Sequence, residues 1–168
     1  MSLTPATDRD LEIMERQLGR PMRDVLGIAA RCACGAPTVV STKPRLADGT
    51  PFPTFYYLTH PAATAKISTL EANGFMALEQ SKLAEDDELR TAYEAAHRAY
   101  IADRDANGLV PEIDGISAGG MPTRVKCLHA LVGHSLAAGP GVNPIGDAAL
   151  AACGWSPAVC ECLPDARG

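Results

Sequence analysis

Three places in this sequence carry side chains suited to metal or nucleophilic chemistry: Cys32-Ala33-Cys34-Gly35, Cys127-Leu128-His129 and His134. Thiolates and imidazoles are the ligands that zinc and iron–sulfur centres prefer, and a glycine directly after a cysteine permits a positive φ that turns backbone N–H groups towards sulfur. At about 100° per residue, Cys127 and His134 point within about 20° of one direction on a regular helix, while His129 points about 200° away from Cys127. That helix separates Cys127 from His134 by about 10 Å along its axis, so joint ligation of one ion asks for long reach or a distorted first turn. The single residue between Cys32 and Cys34 is tighter than the spacing of familiar zinc knuckles. The plain alternative is that these are small core cysteines and a histidine that only satisfies hydrogen bonds.

Other residues offer less. His60 follows a predicted strand and precedes a helix, where it can serve as a ligand, as a general base or merely as the cap of the helix starting at Pro61. His97, between Tyr93 and Tyr100 at helical spacing, reads as a proton shuttle or as part of a hydrogen-bonded seam between helix and sheet. Gly119-Gly120-Met121-Pro122-Thr123 leads into a helix with Arg124 and Lys126 nearby, and with Arg31 these are the candidate anion-binding residues. Cys160-Glu161-Cys162 could bind metal, but with Cys153 it reads as thiols of a loose tail. No His-Glu-x-x-His pair, P-loop or dinucleotide fingerprint is present.

The elements that must position these residues follow from periodicity and punctuation. Leu11, Met14 and Leu18 form the apolar stripe of a first helix, capped near Thr7 or Asp8 and ended by Gly19. Residues 25–30 and 38–42 read as two strands of a hairpin with the thiols at its tip, and residues 55–58 as a third strand beyond the turn-rich segment 43–54. Helices are predicted from Pro61 towards Asn73-Gly74, over about 75–83, over about 86–105 and over about 123–138, with a glycine-rich loop over 107–122. Asn143-Pro144 opens a short last helix as N-cap and first helical position. The fold class is α+β: a small antiparallel sheet of about three strands packed against five or six helices. It forms a single domain with its core over about 11–152 and a tail over 153–168.

Bulk properties exclude several functions. At 168 residues, 46% hydrophobic and 21% charged, the chain is long enough for one core and unlike a disordered chain. A formal charge of −5 with scattered basic residues disfavours nucleic acid as a partner. No apolar run suits a signal peptide or a bilayer span, so no membrane insertion and a cytoplasmic location are expected, where cysteines serve as thiols or metal thiolates.

Several ordered blocks resemble one family: Arg16-Gln17-Leu18-Gly19-Arg20, Arg31-Cys32, Asp48 through Thr54, Tyr57-Leu58-Thr59-His60-Pro61, Val125 through His129, and Gly139 through Asn143-Pro144. The chain resembles the bacterial Domain of Unknown Function five hundred and one, in its actinobacterial form, over about residues 11–150. The resemblance implies no assigned activity. Family genes stand beside those for enolase, a septum formation initiator and an exopolyphosphatase-like enzyme, and the septum-formation label rests on that proximity. The resemblance implies a pattern that includes Cys32, Cys127, His129 and His134 and allows Cys or His where His60 stands, but fixes no cysteine at Cys34. Cys32 with His60 is therefore the better pair. The expectation is an uncharacterised domain holding zinc or an iron–sulfur cluster through Cys32, His60, Cys127 and His134, with Cys34 and His129 as further candidates. The rival readings are a non-catalytic protein-interaction module linked to cell division, and an enzyme acting on a small anionic substrate.

Overall fold

The computed structural model describes residues 3–168. Helix α1 (Asp8–Leu18) starts with a capping box, in which the Thr7 side chain accepts from the Asp10 N–H while the Asp10 carboxylate accepts from the Thr7 N–H, and it ends at Gly19 in the left-handed conformation. Strands β1 (Val25–Arg31), β2 (Pro37–Thr42) and β3 (Tyr56–Leu58) form an antiparallel sheet in the order β1-β2-β3. Helices α2 (Pro61–Ala72), α3 (Phe75–Glu85), α4 (Asp87–Asp105), α5 (Leu128–Ala138) and α6 (Pro144–Cys153) follow. The expected α+β class, with three strands and six α-helices among the described residues, is the observed one.

β2 is buried along its whole length because both faces of the sheet are covered. Successive strand residues point to opposite faces. Val39 packs into the main core with Leu128, Leu131 and Val132 of α5 and Ile145 of α6, while Val40 packs with Ile28 and with Met14 of α1. The Tyr100 hydroxyl on α4 accepts hydrogen bonds from the backbone N–H groups of Phe55 (2.7 Å) and Tyr56 (3.2 Å), tying that helix to the sheet edge. His97, expected in the same seam, faces instead the Ser117 hydroxyl at 2.7 Å.

Two local departures from expectation matter for chemistry. The glycine-rich loop after α4, which composition alone leaves unanchored, is held by the buried Arg104, whose guanidinium donates to the carbonyls of Ile113 and Ile116 and pairs with Asp105. Helix α5 begins at Leu128, five residues later than periodicity suggests. Gly119 and Gly120, both at positive φ, fold residues 119–127 into a closed turn in which Lys126 N–H bonds Gly119 O and Arg124 N–H bonds Gly120 O. A Cβ on Gly119 would lie 2.6 Å from Leu131 Cδ2, so only glycine fits this turn against α5. No helix among the described residues is long and apolar enough to cross a membrane.

Candidate metal centre

The hairpin between β1 and β2 closes with a hydrogen bond from Cys32 N–H to Ala36 O and another from Gly35 N–H to Cys32 O, both 2.8 Å. Gly35 has φ +91°, the positive-φ turn that the Cys-Gly pair predicts. This turn presents Cys32 and Cys34 on one side. The chain beyond α6, expected as a loose tail, returns to meet them. Gly154 ends α6 in the left-handed conformation and Trp155 buries its ring beside His60, with ring centres 5.1 Å apart. Pro157 O then accepts from Ala33 N–H at 2.8 Å. Farther on, Arg9 and Arg16 of α1 donate to backbone carbonyls of Asp165 and Arg167. Gly168 packs so tightly on the Gly35–Ala36 peptide that a Cβ there would sit 2.5 Å from Gly35 C.

This return brings Cys160 and Cys162 to Cys32 and Cys34, with all four sulfurs within 4.8 Å of one another. The Cys34 thiol donates to the Cys162 sulfur at 3.6 Å, far longer than a disulfide bond. Cys32 is buried, its three partners are half-buried, and Ile13, Ala36 and Ala166 pack around the group. Burial pushes the Cys32 and Cys162 thiols up. Burial also opposes ionisation of Cys34, but the amides of Ala36 and Gly168 and the neighbouring thiols outweigh it and bring that thiol down to about 6. His60 Nε2 lies 3.1 Å from Cys162 Sγ. Burial keeps the His60 ring neutral, so its single N–H is available to the sulfur.

The four residues named first from the sequence do not converge at one point. Cys32 joins the thiol group, and His60 touches it through Cys162. His134 lies elsewhere, fully buried in the main core. Its ring stacks on Tyr56 at 5.7 Å and its Nδ1 accepts from Asn143 Nδ2 at 3.2 Å, because the Asn143 oxygen is occupied by Gly146 N–H. Burial lowers its pKa to about 4, which marks a neutral structural histidine. The helical face that periodicity assigns to a site points into the core, because α5 is apolar nearly all round.

Cys127 belongs to a separate group. It is the extended N-cap of α5 (φ −148°, ψ 104°), not a helical residue, so the 200° separation from His129 does not apply. Cys127, His129 and Glu71 place their donor atoms within 4.8 Å of one another. Arg31, an expected anion ligand, is committed to Asp10 at 2.6 Å and to the Gly35 carbonyl at 2.8 Å. Arg124 and Lys126 are exposed on the turn before α5, whereas Arg31 is the last residue of β1.

A family model described as a protein of unknown function (DUF501) matches residues 28–151, about three quarters of the chain. The chain belongs to this family. The DUF501 match takes in Cys32, Cys34, Glu71, Cys127 and His129 and ends before Cys160 and Cys162. No curated protein and no solved structure matches the chain.

The sequence reading places Cys160 and Cys162 in a loose tail and does not single out Glu71. Cys160-Glu161-Cys162 repeats the Cys-x-Cys spacing of Cys32-Ala33-Cys34, a signal that pairs the two segments despite their distance along the chain. Glu71 had no such signal, since one acidic residue near the end of a helix looks like any other.

Proposed function

We propose that this DUF501 chain is a metal-binding domain in which Cys32, Cys34, Cys160 and Cys162 hold one zinc ion. The observation that carries this reading is the convergence of four sulfurs within 4.8 Å of one another. Four thiolates around one zinc at about 2.3 Å define a tetrahedron with edges of about 3.8 Å. The 3.6 Å separation of Cys34 and Cys162 fits such an edge. An iron–sulfur cluster places irons and sulfides between its thiolates and so spreads them wider, which favours the single ion.

A four-thiolate set leaves no open coordination position, so the centre braces the fold rather than activating water. It joins the hairpin tip to the C-terminal segment. His60, seated on Cys162, supports the thiolate from outside the ligand set as a hydrogen-bond donor. Zinc binding must displace protons from Cys32 and Cys162, whose burial favours the neutral thiol, so affinity falls as pH falls.

Metal analysis of protein purified without an affinity tag tests this. One zinc per chain is expected, lost in the double variant Cys160→Ser/Cys162→Ser and retained in Cys127→Ser and in His134→Phe. Metal-free protein, or loss of zinc from the Cys127 and His134 variants with retention in the tail variant, contradicts it.

A further inference from the structure

A cavity of about 650 Å³ is bordered by the end of α1, by β3, by the start of α2 and by the start of α5. Cys127 and His129 open into it among Leu18, Tyr57, Pro61 and Ala65, a largely apolar wall. From the arrangement of Cys127, His129 and Glu71 at this cavity, we infer a second site in which Cys127 is a nucleophile towards small acyl esters or thioesters with an apolar acyl group. This inference is independent of the zinc reading.

The geometry orders the three groups. Glu71 Oε1 accepts the Leu128 N–H at 2.8 Å, capping α5 from a neighbouring helix and fixing the carboxylate. The same oxygen stands 3.2 Å from His129 Nδ1. On the other side of the ring, Nε2 is 3.3 Å from the Thr64 carbonyl oxygen and 3.2 Å from the Ser68 hydroxyl. The carboxylate accepts from Nδ1–H, while Nε2 faces both the Thr64 carbonyl, which only accepts, and the Ser68 hydroxyl, which can donate or accept. Hydrogen bonding to Cys127 and the nearby Glu71 charge raise His129 to about 8 despite its partial burial. Cys127 is shifted the opposite way, first by His129 and then by the Ala130 amide against the effect of burial. A thiolate beside an imidazolium at a helix start is the activated form of a cysteine nucleophile.

In the reaction, the Cys127 thiolate adds to the carbonyl carbon, and a carbon–sulfur bond forms as the bond to the leaving alkoxide or thiolate breaks. The His129 imidazolium gives its proton to that leaving group. Water then attacks the Cys127 thioester and passes a proton to neutral His129. The carbon–sulfur bond breaks, releasing the carboxylic acid and restoring the thiolate–imidazolium pair. Leu128 N–H is held by Glu71 and Leu131 N–H by Cys127 O, which leaves the His129 amide of the first turn of α5 to donate to the carbonyl oxygen as it gains charge. Glu71 is a positioning residue, holding the ring and favouring its charged state.

The probe is p-nitrophenyl acetate, with acetylation read cysteine by cysteine by peptide mass spectrometry. The outcome therefore does not depend on whether the four-thiol group carries metal. At pH 7, Cys127 should be acetylated at least tenfold faster than Cys153, which lies outside both groups. Cys127→Ser, a favourable N-cap replacement, should lose acetylation at position 127 with an unchanged melting curve. His129→Gln should slow acetylation at least tenfold. Glu71→Gln should move the alkaline limb of the rate profile to lower pH, which loss of packing alone would not do. Acetylation of wild-type Cys127 no faster than Cys153 overturns the inference without reference to any variant. An unchanged rate in folded His129→Gln, or protection of Cys127 by added zinc, overturns it too.

Discussion

Removing the metal should cost this fold far more than losing a surface contact, because the proposed centre ties together residues 128 positions apart, as between Cys34 and Cys162. Treated as a cross-link, a closed loop of that length restricts the unfolded chain by about 5 kcal/mol. For a domain of this size each kcal/mol moves the melting temperature by about 2–4 °C, so full metal removal should lower it by about 10–20 °C. The assay is a reversible thermal melt of zinc-loaded and chelator-treated protein under reducing conditions, monitored by circular dichroism. Amide exchange on the same samples should locate the loss first in residues 157–168 and the hairpin tip. Residual zinc binding by the unfolded chain reduces the shift, but not its sign. A melting temperature within about 2 °C with and without metal, at full chelation, would refute the cross-link reasoning.

Acid sensitivity has two expected components. The Arg31 guanidinium beside Asp10 holds that carboxyl down to about 2, against an ordinary value of 3.8, so the pair's stabilisation is present above pH 3.8 and lost as pH falls towards 2. Asp10→Asn should cost about 2 kcal/mol at neutral pH in a denaturant titration and remove that acid limb. His134 is also depressed, to about 4 from 6.5, so the unfolded chain binds more protons between those values. Its contribution, about 3 kcal/mol, is complete above pH 6.5 and lost as pH falls to 4. His134→Phe should flatten this part of the profile, leaving the lesser slope of His60 and His97, which burial shifts the same way. Arg104→Met should cost about 3 kcal/mol by leaving the Ile113 and Ile116 carbonyls without their buried donor, and hydrogen exchange should speed up across residues 107–122 before other regions.

The sheet and the helix caps were legible because local rules set them. Alternation and turn residues mark β1 and β2, Gly35 marks the turn between them, and Thr7, Pro61 and Asn143 mark the helix starts. The site was legible only in part. Cys32 and Cys34 stood out by type and spacing, but nothing local shows that the chain reverses after Gly154 and lays Cys160 and Cys162 against them. That reversal depends on Trp155 finding the ring of His60 and on arginines of α1 finding distant carbonyls. Periodicity misplaced the start of α5 by running an apolar pattern through a turn that Gly119 and Gly120 close. This error put Cys127 on a helical face with His134 when it belongs at the N-cap beside His129 and Glu71.

X-ray absorption at the zinc edge of the untagged protein tests the central claim most directly. A first shell of four sulfurs at about 2.3 Å with no nitrogen or oxygen neighbour is the predicted result. A mixed shell containing imidazole nitrogen would contradict it and return His60 or His134 to the ligand set.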